Sequence, residues 1–515
     1  MTSQRLILLH PTDNVAVAAN RLSATGDATA GQQRVAVKQP VPAGHKVAVR
    51  QIDPGMPVMK YGYPIGVSTC LIETGDHVHS HNLRDQHTVI HDIQSTDPPE
   101  PPVAIRREFM GYHREGGKVG TRNYVLVVST VNCSASVSRM VAAKFDAQRM
   151  TRWPHVDGVI AITHDGGCGL AFGGLKHQML SRTLAGMVHH PNVAASLLIG
   201  LGCEQNTVGY MAAQHQIVPL RSPSGQQLGS DQGGVLMIQD EGGTRRTIAK
   251  AEALVENLLD QANQCRRQPA NASHLCVGLE CGGSDGYSGI TANPAVGVAA
   301  DRIVACGGSA VISETSEIYG AEQLLVQRAR SLAVAEKLIE RIQWWKGYVG
   351  MFGQELDNNP SVGNKAGGLT TITEKSLGAV SKSGRTALEA VYEYAQPIDR
   401  PGLAVMDTPG FDPASVTGKV AGGANLILFT TGRGSCFGCK PTPSIKIATN
   451  TSLYQRLDED MDWDAGTILA GRDVDTVGGE IFELALRVAS GEKTKSEHLG
   501  IGDNEFVPWA VGPVL

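Results

Sequence analysis

The chain has 515 residues, 42% of them hydrophobic and 18% charged, with a formal net charge of −5. Such totals suggest about three or four domains with ample core and give no electrostatic case for a nucleic-acid partner. No apolar run approaches the roughly 20 residues that span a bilayer, and the amino-terminal run Leu6–Leu9 is too short for a signal peptide, so the reading is a cytoplasmic protein with no membrane partner.

Ten cysteines in a chain this long do not make a small secreted disulfide framework. They divide into packed hydrophobes, metal ligands and reactive thiols, and Cys70, Cys265, Cys276 and Cys306 read as inert.

Residues 1–92 read as a small β-domain, because short apolar runs alternate with Gly, Pro and Asp turns. The domain closes on Gly75-Asp-His-Val-His-Ser-His-Asn82. Alternation along a strand would turn His77, His79 and His81 to one face. Three imidazoles there can bind a divalent metal, or recognise and protonate an anion; a solvated histidine edge is the plain alternative. Residues 93–106 are a linker whose four prolines favour an extended path.

From 107 to 268 the pattern becomes α/β. Tyr124–Thr130 predicts a strand, and Ser134 caps an expected helix to about Gln148. Gly158–Thr163 predicts a strand ending at His164 and Cys168, and Ala194–Leu201 one ending at Cys203 and Glu204. This rhythm implies parallel sheets with right-handed crossovers, whose carboxyl edges are where ligands bind.

The rhythm continues through 269–515. Leu275–Leu279 delivers Glu280 and Cys281, and Ala310–Ser313 delivers Glu314. A long helix is expected next, with Leu325, Leu332, Ala335, Ile339 and Ile342 on its core face. Gly278–Pro294 interleaves glycines with Cys281, Ser284, Asp285 and Asn293, a composition suited to gripping something small and polar; a plain connecting loop is the alternative. Lys365 and Lys375 lie where they can hold carboxylates. There is no Walker loop and no glycine fingerprint for a dinucleotide. One CxxC pair, Cys436–Cys439, cannot close a zinc site alone.

Cys133, His164, Cys168, Cys203 and Cys281 each fall just beyond a predicted strand. Thiolates with an imidazole suit iron, zinc or an iron–sulfur cluster.

Several long motifs resemble the altronate/galactarate dehydratase family. They are Gly44-His-Lys46, Lys60-Tyr-Gly-Tyr-Pro-Ile-Gly66, His77-Val-His-Ser-His-Asn82, Val119-Gly-Thr-Arg-Asn123, Gly200-Leu-Gly-Cys-Glu204, residues 278–297, Gly363-Asn-Lys-Ala-Gly-Gly368, Lys375-Ser-Leu-Gly378, Thr431-Gly-Arg-Gly434 and Pro443–Asn450. The resemblance implies an amino-terminal SAF-like (β-clip) domain followed by two α/β catalytic regions at 107–268 and 269–515. It also implies Fe2+-dependent loss of water from a sugar acid, D-altronate giving 2-dehydro-3-deoxy-D-gluconate; galactarate or a related aldarate or aldonate is the alternative substrate. Cys436–Cys439 departs from the family pattern.

On that basis His164, His79, Lys365 and Glu314 are expected to be catalytic. Ser284, Asp285, Asn293, Arg433, His77 and His81 are expected to bind substrate. Cys133, His164, Cys168, Cys203 and Cys281 are expected to hold Fe2+, with Mn2+ or another divalent ion as alternative and a [4Fe–4S] cluster as a rival. A non-catalytic sugar-acid sensor is the competing class of function. A homo-oligomer is compatible with the sequence, which does not fix the oligomeric state.

Overall fold

The computed structural model describes residues 4–24, 26–31, 33–87, 93, 96–217 and 234–509. Its amino-terminal unit is a six-stranded mixed sheet beside a three-stranded antiparallel one. Leu6, Ala16, Ala18, Leu22, Val35 and Val47 form a small core of its own. Residues 96–106 lie outside any strand or helix. The chain enters and leaves the second unit through paired antiparallel strands, Glu108–His113 and Gln268–Asn271.

The second unit is a four-stranded, all-parallel sheet: β1 (Tyr124–Ser129), β2 (Gly158–Ile162), β3 (Val193–Gly200) and β4 (Val235–Met237), in the order β2-β1-β3-β4. Val125 and Val127 of β1 enter a core that also holds Leu197, Val255 and Leu259. Leu126 and Val128 point the other way, into the main core of the molecule. Both faces are therefore buried, which is why β1 reads as an unbroken apolar run. Helix α1 (Asn132–Ala142) follows β1 and α2 (Leu175–Val188) follows the loop after β2. The helix expected to run to Gln148 stops at Ala142, and a separate turn, Ala147–Met150, starts on an Asp146 cap. Ser134 is no cap: its hydroxyl donates into the sheet edge, 2.6 Å from the Ile199 carbonyl and 2.9 Å from that of Val131.

The third unit is a seven-stranded parallel sheet. Its strands are β5 (Cys276–Cys281), β6 (Ser309–Ile312), β7 (Leu388–Tyr392), β8 (Gly402–Met406), β9 (Leu426–Thr431), β10 (Ser444–Ala448) and β11 (Trp463–Asp464). Their order is β7-β8-β6-β5-β9-β10-β11. The helix expected from Leu325 onward is two: Gln323–Val326, then Leu332–Gly350, which starts where Ser331 caps the Val334 amide. Among the described residues no helix is long and apolar enough to cross a membrane.

Strand order decides where chemistry can sit. In the second sheet the chain runs from β1 to β2 on one side and takes β3 on the other; in the third it leaves β5 for β6 on one side and takes β9 on the other. Each sheet thus has a switch point at the carboxyl end of one strand, and such crevices bind ligands. Cys133 follows β1 and Cys281 ends β5.

Candidate active site

At the β5 switch point, Glu280 and Cys281 end one strand and Glu314 follows the next, β6. Glu317 lies a turn further on, and Asp412 opens helix α3 (Asp412–Gly422). The Cys281 Sγ is 3.8 Å from Glu314 Oε2 and 4.0 Å from Glu317 Oε2. On its other side Glu314 faces Glu280 and Asp412, with ligand-capable atoms of all three within 4.8 Å of one another.

Three lysines reach the same place. Lys419 donates to Glu280 at 2.6 Å, both fully buried, and Ser415 donates to the same oxygen. Lys375 donates to Glu317 at 2.5 Å and to Asn359 Oδ1 at 3.0 Å. Lys382 is buried beside Cys281, Glu314 and Glu280.

The electrostatics separate the acids into two kinds. Burial works against Glu280, but the Lys419 ammonium outweighs it and keeps this carboxylate ionised. Among the described residues no ammonium is ion-paired with Glu314 closely enough to offset its burial. Burial first, then the charges of Glu280, Glu317 and Cys281, push its carboxyl well above the usual range. Its Oε1 meets no hydrogen-bond donor among the described residues. Burial likewise pushes Asp412 up to about 7, helped by Glu280 and Glu317. Burial would lower Lys375 and Lys382, but the anions around them outweigh it and raise both. The site therefore juxtaposes firmly charged lysines with one carboxyl, Asp412, pushed up to about 7 and another, Glu314, pushed well above the usual carboxylate range, a combination suited to general acid–base chemistry.

The amino-terminal unit contributes imidazoles against residues 365 and 366 of the third unit. His45 lies 5.1 Å from both His77 and His79, and His77 lies 5.6 Å from His81, ring centre to ring centre. The expected strand carrying these histidines ends at Val78, so a turn gathers the rings rather than strand alternation. Asn82 makes that turn, accepting from the His79 amide and donating to the His77 carbonyl. His79 Nε2 meets the Lys365 carbonyl at 2.9 Å, and His45 Nε2 meets the Ala366 carbonyl at 3.2 Å. A carbonyl only accepts, so both Nε2 atoms carry the proton. The Nδ1 of His45 then accepts from His77 Nε2 at 3.0 Å. This leaves Nδ1 of His77 and His79 as acceptors, that of His79 facing the Ser80 hydroxyl at 3.0 Å. Burial lowers all three rings, His77 to about 3, so they are neutral at physiological pH.

Family comparison agrees along the whole chain. Residues 4–86 match the altronate/galactarate dehydratase SAF domain, 111–263 the D-galactarate dehydratase/altronate hydrolase second domain, and 272–514 the D-galactarate/altronate dehydratase C-terminal domain. The chain belongs to the altronate/galactarate dehydratase family. Altronate dehydratase of Escherichia coli (strain K12) is 36% identical over 500 residues, covering 95% of this chain and 96% of that protein. Altronate dehydratase of Bacillus subtilis (strain 168) is 34% identical, covering 95% and 96%. Galactarate dehydratase (L-threo-forming) of Escherichia coli (strain K12) is 34% identical, covering 99% and 97%. Membership makes the chain a sugar-acid dehydratase, a carbon–oxygen hydro-lyase.

Within this dehydratase the expected site residues fall into three groups. Glu314 and Cys281 meet at the β5 switch point, and His77, His79, His81 and the backbone of Lys365 meet at the histidine cluster. Exposed Arg433 follows β9, its amide donating to the Gly283 carbonyl. Asp285 and Asn293 serve as struts: Asp285 accepts from Thr449, Ser288 and the Tyr287 amide, while Asn293 donates to the Gly378 carbonyl and accepts from Thr430. A Cβ on Gly432 would stand 2.1 Å from Asp285 Cγ, so glycine is what lets Arg433 pass over this loop. Ser284 is buried, its carbonyl taken by Asn364.

Cys133, Cys168 and Cys203 are exposed and lie with His164 in the second sheet, whereas Cys281 lies in the third. The five residues read from the sequence as one constellation are thus divided between two switch points. His164 uses both ring nitrogens, one at 3.1 Å from the Ser129 carbonyl and the other accepting from the Gly166 amide at 3.0 Å. With neither nitrogen free, it pins the loop rather than presenting a ligand. Unforeseen from the sequence are His45, Glu317, Lys382, Asp412 and Lys419. The signal for Lys419 was its place in the helix Asp412–Gly422 beside Val420 and Ala421, where an unpaired charge would not be tolerated; Lys382, in the short turn Ser381–Ser383, gave none.

Proposed function

We propose that this dehydratase converts D-altronate to 2-dehydro-3-deoxy-D-gluconate, in the cytoplasm and with an iron cofactor. The observation that carries the reading is the pair of buried, proton-bearing carboxyls, Glu314 and Asp412, set among ammonium groups that stay charged. Support for altronate over galactarate comes from the two relatives of that name, at 36% and 34% identity.

Elimination begins with loss of the proton α to the substrate carboxylate, leaving an enediolate that needs positive charge around it. Lys375 and Lys382 provide that charge from fixed positions, with no cost of reorganisation during the reaction. Arg433 and Lys365 clamp the carboxylate, Arg433 with its planar fork. His79 takes the α-proton on Nδ1 once the Ser80 hydroxyl facing it at 3.0 Å turns away, the tautomer being set by its bond to the Lys365 carbonyl; His77 and His81 hold substrate hydroxyls. Glu314 protonates the departing β-hydroxyl, and the enol relaxes to the keto acid. An iron ion would supply Lewis-acid polarisation of a substrate oxygen; the second-sheet thiols lie at a different switch point from the β5 carboxyls, so no step here is routed through them. The β5 site fits a cation less well, because three lysines already supply positive charge there.

The test is an anaerobic panel of aldonates and aldarates with ferrous iron, scored for keto-acid release. Altronate should give the fastest release. Preference for galactarate would move the substrate assignment, and binding with no keto acid from any sugar acid would make the protein a sensor instead.

A further inference from the structure

We propose that Thr408 is a positioning residue for the dehydration: its hydroxyl holds the backbone of Glu314, and with it the acid that protonates the leaving group. The proposal rests on the dehydratase reading for what Glu314 does, whereas the hold on Glu314 stands on geometry alone.

Strands β6 and β8 are paired neighbours, with Ile312 opposite Val405. The segments that leave them at the carboxyl edge, 313–317 and 407–410, are fastened to each other. The Glu314 amide donates to Thr408 Oγ1 at 2.8 Å, the Thr315 amide to the Thr408 carbonyl at 3.1 Å, and the Thr315 hydroxyl to Asp407 Oδ1 at 2.6 Å. Gly410 lets the two segments lie so close, since a Cβ there would stand 2.8 Å from Ser316 Oγ. Of these contacts only the first uses the Thr408 side chain, and it falls on the residue held at φ +62°. A left-handed residue with a Cβ persists only where its surroundings over-determine it. Glu314 and Thr408 are both buried, and a buried amide stripped of its acceptor costs more than the bond it lost.

The Thr408 hydroxyl is itself held. It faces Ser415 Oγ at 3.0 Å and the Pro409 carbonyl at 3.2 Å, Ser415 being the nearer acceptor. Ser415 donates to Glu280 Oε2 at 2.8 Å, so it accepts from Ser313, 2.8 Å away. Lys419 donates to the same Glu280 oxygen. A chain of donors thus runs from the Glu314 amide through Thr408 and Ser415 to a carboxylate, and such chains strengthen along their length. One end fixes the Glu314 backbone; the other fixes Glu280, a carboxylate that the Glu314 side chain faces. Thr408 acts through Glu314 rather than on the substrate. It sets where the acid stands, with Cys281 and Glu317 on one side and Glu280 and Asp412 on the other.

Thr408→Val keeps the branched shape and removes the hydroxyl, whereas Thr408→Ser keeps the hydroxyl. The test measures kcat and KM of the full chain for keto-acid release from the best sugar acid of the panel. Thermal unfolding checks that each variant is folded, and Thr408→Ala replaces the valine variant if that one is not. Thr408→Val should lose about 10²-fold in kcat with KM nearly unchanged, the effect of displacing a reacting group by about 1 Å. Thr408→Ser should restore kcat to within about twofold, and Thr408→Val added to Glu314→Gln should change kcat by less than about twofold, because the group it positions is already gone. An equal loss in Thr408→Ser overturns the proposal, and so does an undiminished loss in the Glu314→Gln background. In a crystal structure of Thr408→Val, Glu314 should leave positive φ; a Glu314 still near φ +62° overturns the hold whatever the turnover. An unsubstituted protein that releases no keto acid from any sugar acid sinks the dehydratase reading, and the crystal structure then decides the hold by itself.

Discussion

Glu314 sits at φ +62° and ψ +64°, a left-handed conformation that costs a residue with a Cβ on the order of 1–3 kcal/mol. The side chain so placed is a carboxyl among other carboxyls, and its raised pKa is a stability statement. A group whose folded pKa exceeds its unfolded one stabilises the fold below the unfolded value and loses that contribution as pH rises through the folded value. Glu314→Gln cannot ionise, so it should melt higher than the unsubstituted protein at pH 9 but not at pH 5, while turnover falls by roughly 10²–10⁴-fold, the usual worth of a positioned acid. A variant that keeps its turnover would remove Glu314 from the reaction. Asp412, pushed up to about 7, makes a second forecast: kcat/KM should bend near pH 7, and the bend should disappear in Asp412→Asn. Its persistence would assign that titration to another group.

At the scale of elements, the helix Ile372–Val380 ties the amino-terminal unit to the third unit. Its Glu374 accepts from Lys46 and from Lys60 at 2.8 Å each, and all three are buried. Removing one partner of such a set strands an uncompensated charge, at about 3–5 kcal/mol. Glu374→Gln should therefore lower the unfolding midpoint substantially, whereas replacing all three with apolar residues should recover much of the loss; a single variant with unchanged denaturant midpoint would show that the ions are not the anchor. None of this was legible in the sequence, because the pairing spans 328 residues between Lys46 and Glu374. What was legible has local causes. Val125–Val128 and Val277–Leu279 are apolar on both faces, so strand and burial coincide, and the polar residues that follow mark the sheet edges. The division of the cysteines between two sheets was not legible, because a strand end looks the same whichever sheet receives it. Nor were the helix breaks at Ala142 and Gln327, where packing and the Asp146 and Ser331 caps overrode a continuous apolar pattern.

In the whole molecule, the amino-terminal unit has a core of its own and is also firmly docked on the third unit. It has its own small core, yet Val15, Ile52, Val58, Ile65 and Val78 belong to the same apolar cluster as Ile372 and Leu377 of the third unit. Polar contacts seal the seam: Thr371 donates to the Ile65 carbonyl at 2.7 Å, Tyr287 to the Ala18 carbonyl at 2.8 Å and Lys46 to the Gly368 carbonyl at 2.7 Å. Gly286 lets the backbones touch, since a Cβ there would stand 1.9 Å from the Gly44 carbonyl oxygen. By contrast the stretch 101–106 is exposed, with Ile105 tied to the Ala305 carbonyl. An interface with a continuous apolar core and buried ion pairs resembles an obligate one rather than a mobile domain contact. Continuity of the chain should therefore be dispensable while contact is not. A full-length protein carrying a protease site between residues 99 and 103, once cut, should elute as one species and keep most of its keto-acid release, because the histidines stay against residues 365 and 366. The same cut in Glu374→Gln should release the small fragment and abolish turnover. Separation of the fragments in the otherwise unsubstituted protein would mean that the linker, not the seam, holds the histidine turn over the third unit.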